Sequence, residues 1–120
     1  MFRERLGRLT WWDLHVYARH DASPDIDMVF SVLEAHYPCD LCRRHLCRTL
    51  QGLPSSDTPV LRVFNLHNVI NLQLGKPPFP KSGLEVRYGR QKTYYKSNLY
   101  GLTYAGWTRR LQYNAARARA

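Results

Sequence analysis

The sequence predicts an all-α domain: a four-helix bundle with a short fifth helix, followed by a basic, helical C-terminal extension. Apolar residues recur at helical spacing nearly throughout, no alternating run is long enough to anchor a sheet, and proline, glycine and serine clusters divide the chain into helix-sized pieces. At 120 residues, 44% of them hydrophobic, the chain is long enough to bury one core and too apolar for a disordered tail.

A first helix is expected to start near Thr10, whose hydroxyl can cap it, with Trp11, Leu14, His15 and Ala18 following at helical spacing. Trp11 and His15 then share a face. The loop DASPD around Pro24 interrupts the pattern, and Ile26 to His36 reads as a second helix with Val29, Phe30, Leu33 and Tyr37 as its apolar stripe. Pro38 marks a new start, since proline is tolerated only in a first helical turn. A third helix then runs from about Cys39 to Leu50 and holds Cys39 and Cys42 in its first turn. The segment GLPSSDTP is turn chemistry, after which Thr58-Pro59 opens a fourth helix with Val60, Val63, Phe64, Ile70 and Leu74 as its apolar positions. Gly75, Pro77 and Pro78 end it.

The short fifth helix is expected around Ser82 to Gln91, and beyond it the composition changes. No Asp or Glu follows Glu85, while Arg87, Arg90, Lys92, Lys96, Arg109, Arg110, Arg117 and Arg119 crowd the remainder. Tyr104, Trp107 and Leu111 predict one amphipathic helix there. Residues 1–90 therefore read as the main domain, and 91–120 as a basic, aromatic extension packed on the bundle or on a second subunit.

The charge balance of 18 basic against 9 acidic residues, +9, implies an anionic ligand, cofactor, partner or surface. No apolar run is long enough to span a membrane and the first residues lack the apolar stretch of a signal peptide, so a soluble protein is expected. Three cysteines, Cys39, Cys42 and Cys47, cannot build a disulfide framework, so their value is chemical. Cys39 and Cys42 at a helix N-terminus can cycle between dithiol and disulfide, because the dipole and free N–H groups favour a thiolate. A thioredoxin-like reading needs a βαβ context that this helical sequence lacks. Zinc held by Cys39, Cys42, His45 and Cys47 would require severe unwinding of one helix, so no metal is expected. Cys47, 1.4 turns after Cys42 at about 3.6 residues per turn, should point away from the pair.

A second constellation is His67-Asn68-Val69-Ile70-Asn71, followed by Leu74-Gly75-Lys76-Pro77. His67, Asn68 and Asn71 fall on one side of a helix, either facing solvent or converging on a ligand, and Lys76 could neutralise a phosphate.

The spacing of Leu6-Gly7-Arg8, Trp11, Leu14-His15, Tyr37-Pro38-Cys39, Cys42, His45, His67-Asn68, Asn71 and Leu74-Gly75-Lys76-Pro77 resembles the Erv/ALR family of FAD-linked sulfhydryl oxidases, from about Leu6 to Tyr88. The resemblance implies FAD in the mouth of the bundle, with Cys42 against the flavin and Cys39 open to substrate thiolate. It implies that Gly7, Trp11, His15, His45, His67, Asn68, Asn71 and Leu74 line the cofactor, with Arg8, Lys76 and Arg87 near its phosphates or adenosine and Tyr88 beside the adenine. Oxygen as electron acceptor, hydrogen peroxide as product, a homodimer through the first two helices, and a thioredoxin-like or CxxC-bearing dithiol protein as substrate follow from the same resemblance.

Three departures accompany it. The second disulfide of many members would fall at Phe64 and Lys81 and is absent, no shuttle cysteine pair is present, and the basic tail has no family counterpart. The short form is similar to those of large DNA viruses, implying a host cytoplasm or virion setting. The rival reading is a non-enzymatic nucleic-acid-binding module, suggested by +9 and by tyrosines among the arginines of the tail, without a recognised nucleic-acid motif.

Overall fold

The computed structural model describes residues 1–55 and 57–120; Ser56, inside the segment read as a turn, lies outside the described residues. The described residues are helical without strands. Helices α1 (Phe2–His20), α2 (Ile26–His36), α3 (Asp40–Gln51) and α4 (Pro59–Gln73) are followed by a π-helical turn (Leu84–Tyr88), then α5 (Lys92–Asn98) and α6 (Tyr104–Arg119).

The first helix begins at Phe2, not near Thr10. Thr10 is a buried mid-helix residue whose hydroxyl donates to the Leu6 carbonyl at 2.8 Å, so it does not cap. Leu6, Thr10, Leu14 and Tyr17 form one buried stripe at helical spacing, so the apolar face of α1 begins a turn before Thr10. The second and fourth helices fall where the sequence places them. Asp25 caps α2 by accepting from the Met28 N–H at 3.0 Å.

Beyond α4, two expectations are corrected. The fifth helix is a single π turn, Leu84–Tyr88, rather than a helix over Ser82 to Gln91, and the Gly89 N–H donates to the Glu85 carbonyl at 3.0 Å at its end. The tail forms two helices, not one. Gly101 at φ +69° turns the chain between them, and Thr103 restarts it by accepting from the Gly106 N–H at 3.2 Å.

The long α1 is the hub. It packs on α4, α5, α6 and the π turn, while α2 packs on α3 and α6. Trp107 and Leu111 of α6 are 1% exposed and join Leu14, Val29 and Leu33 in one core. Burying a side chain as large as Trp107 stabilises by about 2–3 kcal/mol relative to exposure, so α6 belongs to the folded unit. No helix among the described residues is long and apolar enough to cross a membrane.

Candidate active site

Cys39 and Cys42 form a disulfide at the start of α3. Pro38 sets this up by forcing the preceding Tyr37 out of helical conformation (φ −59°, ψ 126°), which ends α2. Cys39 is then extended and is the N-cap of α3, its sulfur accepting from the Cys42 N–H at 3.3 Å. The cap is thus one residue earlier than a first-turn placement, and Cys42 lies in that first turn. Tyr37 anchors the junction: it is 6% exposed, and its hydroxyl meets Thr10 Oγ1 at 3.3 Å. Its carbonyl accepts from the Cys39 N–H at 2.8 Å and from Arg43 Nη1 at 3.2 Å. Both disulfide cysteines are half-buried and pack against the same core as Trp11 and Ile70.

Around α1 and α4 a set of flat rings is assembled. His15 Nε2 lies 2.9 Å from His67 Nδ1. Trp11 stacks on His67 at 4.2 Å between centroids with planes 8° apart, and Tyr88 stacks on His15 at 4.5 Å, also at 8°. Phe79 lies 5.5 Å from His67 at 14°. Both imidazoles are held neutral. Burial pulls His15 down to about 3, helped by the His67 and Arg87 charges, and pulls His67 down to about 4, helped by Arg87 and Lys76. Two cations therefore lie within electrostatic reach of the ring stack.

Lys76 is delivered by the end of α4. Gly75 at φ +69° turns the chain back, its N–H donating to the Leu72 carbonyl at 3.1 Å and that of Lys76 to the Asn71 carbonyl at 2.8 Å. This 6→1 and 5→2 closure needs a left-handed residue, which glycine supplies without strain. Arg87 lies over the Phe79 ring at 5.8 Å and near Tyr88 at 6.0 Å, on the π turn that Arg19 clamps through Glu85.

The residues singled out in the sequence do not all converge. Trp11, His15, His67 and Tyr88 form the stack, and Lys76 and Arg87 flank it. Asn68, expected beside them, gives its carboxamide to the loop: its Nδ2 donates to the Phe79 carbonyl at 3.1 Å and its Oδ1 accepts from the Phe79 N–H at 2.7 Å. Asn71 is half-buried, Gly7 sits half-buried in α1, and Leu74 caps α4 while 63% exposed. Arg8 is exposed on α1, one turn before Trp11. His45 is exposed on the outer side of α3, and Cys47 Sγ points to the Glu34 carbonyl at 3.7 Å, so the four zinc candidates do not gather.

Phe79 is the residue sequence reasoning passed over. Phe79 stands between prolines in PPFP, a context that fixes a ring on a stiff loop.

These elements define a helical domain that carries a CxxC disulfide and a ring cluster flanked by two cations. The chain belongs to the Erv1 / Alr family, which it matches over residues 8–90. It is similar to a protein named FAD-linked sulfhydryl oxidase ERV1 from Arabidopsis thaliana, 31% identical over 111 residues, covering 82% of this chain and 58% of that protein. A protein of the same name from Oryza sativa subsp. japonica is 29% identical, covering 73% of this chain and 51% of the relative. The chain therefore spans little more than half the length of the curated relatives it matches. No solved structure matches it.

Proposed function

We propose that the chain is an FAD-dependent thiol oxidase that makes disulfides in dithiol proteins and passes the electrons to oxygen, giving hydrogen peroxide. The observation that carries this is the Cys39–Cys42 disulfide at the N-terminus of α3 in a member of this family. The donor set suits a flavin dinucleotide. Half-buried Trp11 and His67 offer ring surface for an aromatic ring system, His15 and Tyr88 support them from within at 3% exposure each, and Lys76 and Arg87 offer cations for a pyrophosphate. Arg8, exposed one turn before Trp11, offers a further cation, and Asn71 on α4 offers an amide that makes no side-chain hydrogen bond among the described residues.

The cycle begins when a substrate thiolate attacks Cys39 Sγ, forming a mixed disulfide and breaking the Cys39–Cys42 bond. Cys42 leaves as a thiolate in the first turn of α3, where the helix N-terminus stabilises negative charge. A second substrate thiolate attacks the substrate sulfur of the mixed disulfide and releases Cys39 as a thiolate. That sulfur is the helix cap, so the Cys42 N–H stabilises it in turn. Two substrate thiols have then lost two electrons and two protons. Bound FAD would supply the two-electron acceptor for the Cys42 thiolate and the reactivity toward oxygen. The neutral imidazoles keep the ring-lined surface free of charge. A homodimer would form outside the surface of α1 and α2 that α6 covers.

Purified protein should be yellow and should consume oxygen when given a dithiol. Cys39→Ser should stop turnover while leaving a Cys42 thiolate that gives a long-wavelength charge-transfer band with the flavin, and Cys42→Ser should lose both. Full activity in either variant would defeat the mechanism, and a colourless protein with salt-sensitive nucleic-acid binding would favour the basic module instead.

A further inference from the structure

We infer that the outer face of α3 is the docking strip for the oxidase's protein substrate, and that it selects dithiol segments flanked by acidic residues. The inference rests on the thiol-oxidase reading of the disulfide and goes beyond it by naming the residues that choose the partner.

Leu41, Arg44 and Arg48 recur at i, i+3 and i+7, so they lie on one side of the helix and extend over about 10 Å at about 1.5 Å per residue. All three are exposed, Leu41 by 43% although it stands between the two redox cysteines. The opposite side of α3 is the one that packs inward, through Leu46 and Thr49. Among the described residues neither Arg44 nor Arg48 has an acidic partner. The nearby carboxylate, Asp40, is already bridged to Arg43 at 3.0 Å, and Arg43 also donates to the Tyr37 carbonyl. Two like charges four residues apart cost the helix some stability, so an unpaired Arg44 and Arg48 are not there to hold it together. An exposed apolar side chain in the helical turn that carries the disulfide, followed by two guanidiniums without an acidic partner among the described residues, on the side of α3 away from the core-facing Cys42, complements a peptide that passes over the helix start with an apolar contact near its cysteines and carboxylates a few residues away. Guanidiniums bind carboxylates in a two-pronged fashion, which gives this strip direction as well as charge.

The test uses the full chain with its flavin and three reduced substrates: dithiothreitol, a peptide with CxxC followed by three glutamates, and the same peptide with three lysines. Oxygen consumption should show kcat/KM about tenfold higher for the acidic peptide than for the basic one, the scale of two exposed charge pairs. The preference should shrink as salt rises. The double variant Arg44→Glu/Arg48→Glu should reverse it through KM, with dithiothreitol turnover, kcat and the flavin spectrum unchanged. Binding of serine-for-cysteine versions of both peptides, followed by fluorescence anisotropy, provides a readout independent of catalysis and should show the same order and the same reversal. Equal kcat/KM for the two peptides, or a preference that survives the double variant, would overturn the docking strip even if dithiothreitol is oxidised normally. A wild-type protein that binds the acidic peptide as expected but leaves dithiothreitol unoxidised would instead defeat the oxidase reading, and with it the assignment of the bound peptide as substrate. A single-stranded oligonucleotide that displaces the acidic peptide at a lower concentration than the peptide itself, and loses binding in the double variant, would reassign the strip to nucleic acid and overturn the proposal.

Discussion

Helix α1 carries buried polar residues on two faces, and the two faces satisfy them in opposite ways. On the face toward α5 and α6, Asp13 is 1% exposed and its carboxylate accepts from Tyr94 Oη, from Arg110 Nε and Nη2, and from Asn114 Nδ2, the last at 2.8 Å. That network satisfies both carboxylate oxygens with its own side chains, while Asn114 Oδ1 is buried without a partner among the described residues. On the face toward α4, His15 and His67 make one hydrogen bond to each other, remain neutral, and stack with Trp11 and Tyr88. A charge surrounded by donors is a fastening. Neutral rings beside two cations, with Trp11 and His67 half-buried, leave polar and aromatic groups that no ion pair ties down.

The comparison is most easily broken at Asp13. Removing one member of a buried ion pair strands the other, at a typical cost of about 3–5 kcal/mol. Asp13→Ala should therefore lower the denaturant midpoint substantially, and removing residues beyond Arg90 should do the same by uncovering the face of α1 and α2 that holds Trp107. A variant within about 0.5 kcal/mol of wild type would show that the network fastens nothing.

A smaller effect is expected at Asn68, which bonds both the N–H and the carbonyl of Phe79. Asn68→Ala leaves those two half-buried groups without partners, costing about 1–3 kcal/mol. Because the loop then loses its register, flavin affinity should fall with it, whereas Asn68→Asp keeps the acceptor and should recover part of both. Titration of each variant with FAD checks this, and unchanged affinity in Asn68→Ala would remove the residue from the site.

A separate effect is the dependence on pH. In the unfolded chain both histidines protonate near their ordinary value of 6.5, whereas in the folded chain His67 waits until about 4 and His15 until about 3. Between those values the unfolded state binds more protons, so stability falls as pH drops through the window from about 6.5 to about 4. Above it the contribution of the pair is constant. His67→Phe should flatten this slope in denaturant melts of flavin-free protein; an unchanged slope would place its origin elsewhere.

Much of this was legible from local pattern. The second and fourth helices, the cysteines at a helix start, and the turn made by Leu74-Gly75-Lys76 follow from caps, prolines and glycine, all short-range signals. The start of α1 was missed because Thr10 has the chemistry of a cap, and only the burial of Leu6 a turn earlier shows that the helix is already under way. The break at Gly101 was hidden by the apolar spacing of Tyr104, Trp107 and Leu111, which fits one helix or the second of two. The outward position of His45 and the use of Asn68 by Phe79 depend on which face of each helix is buried. The Asp13 network joins residues 81 to 101 positions apart in sequence. No spacing rule announces it.

The comparison between the two faces of α1 is tested most directly by measuring bound flavin and melting temperature on the same preparations of Asp13→Ala and His67→Ala. Opposite losses are expected: Asp13→Ala has the larger fall in melting temperature yet binds flavin when folded, while His67→Ala has the smaller fall and loses the yellow cofactor. A His67→Ala protein that purifies with a full complement of flavin would contradict it.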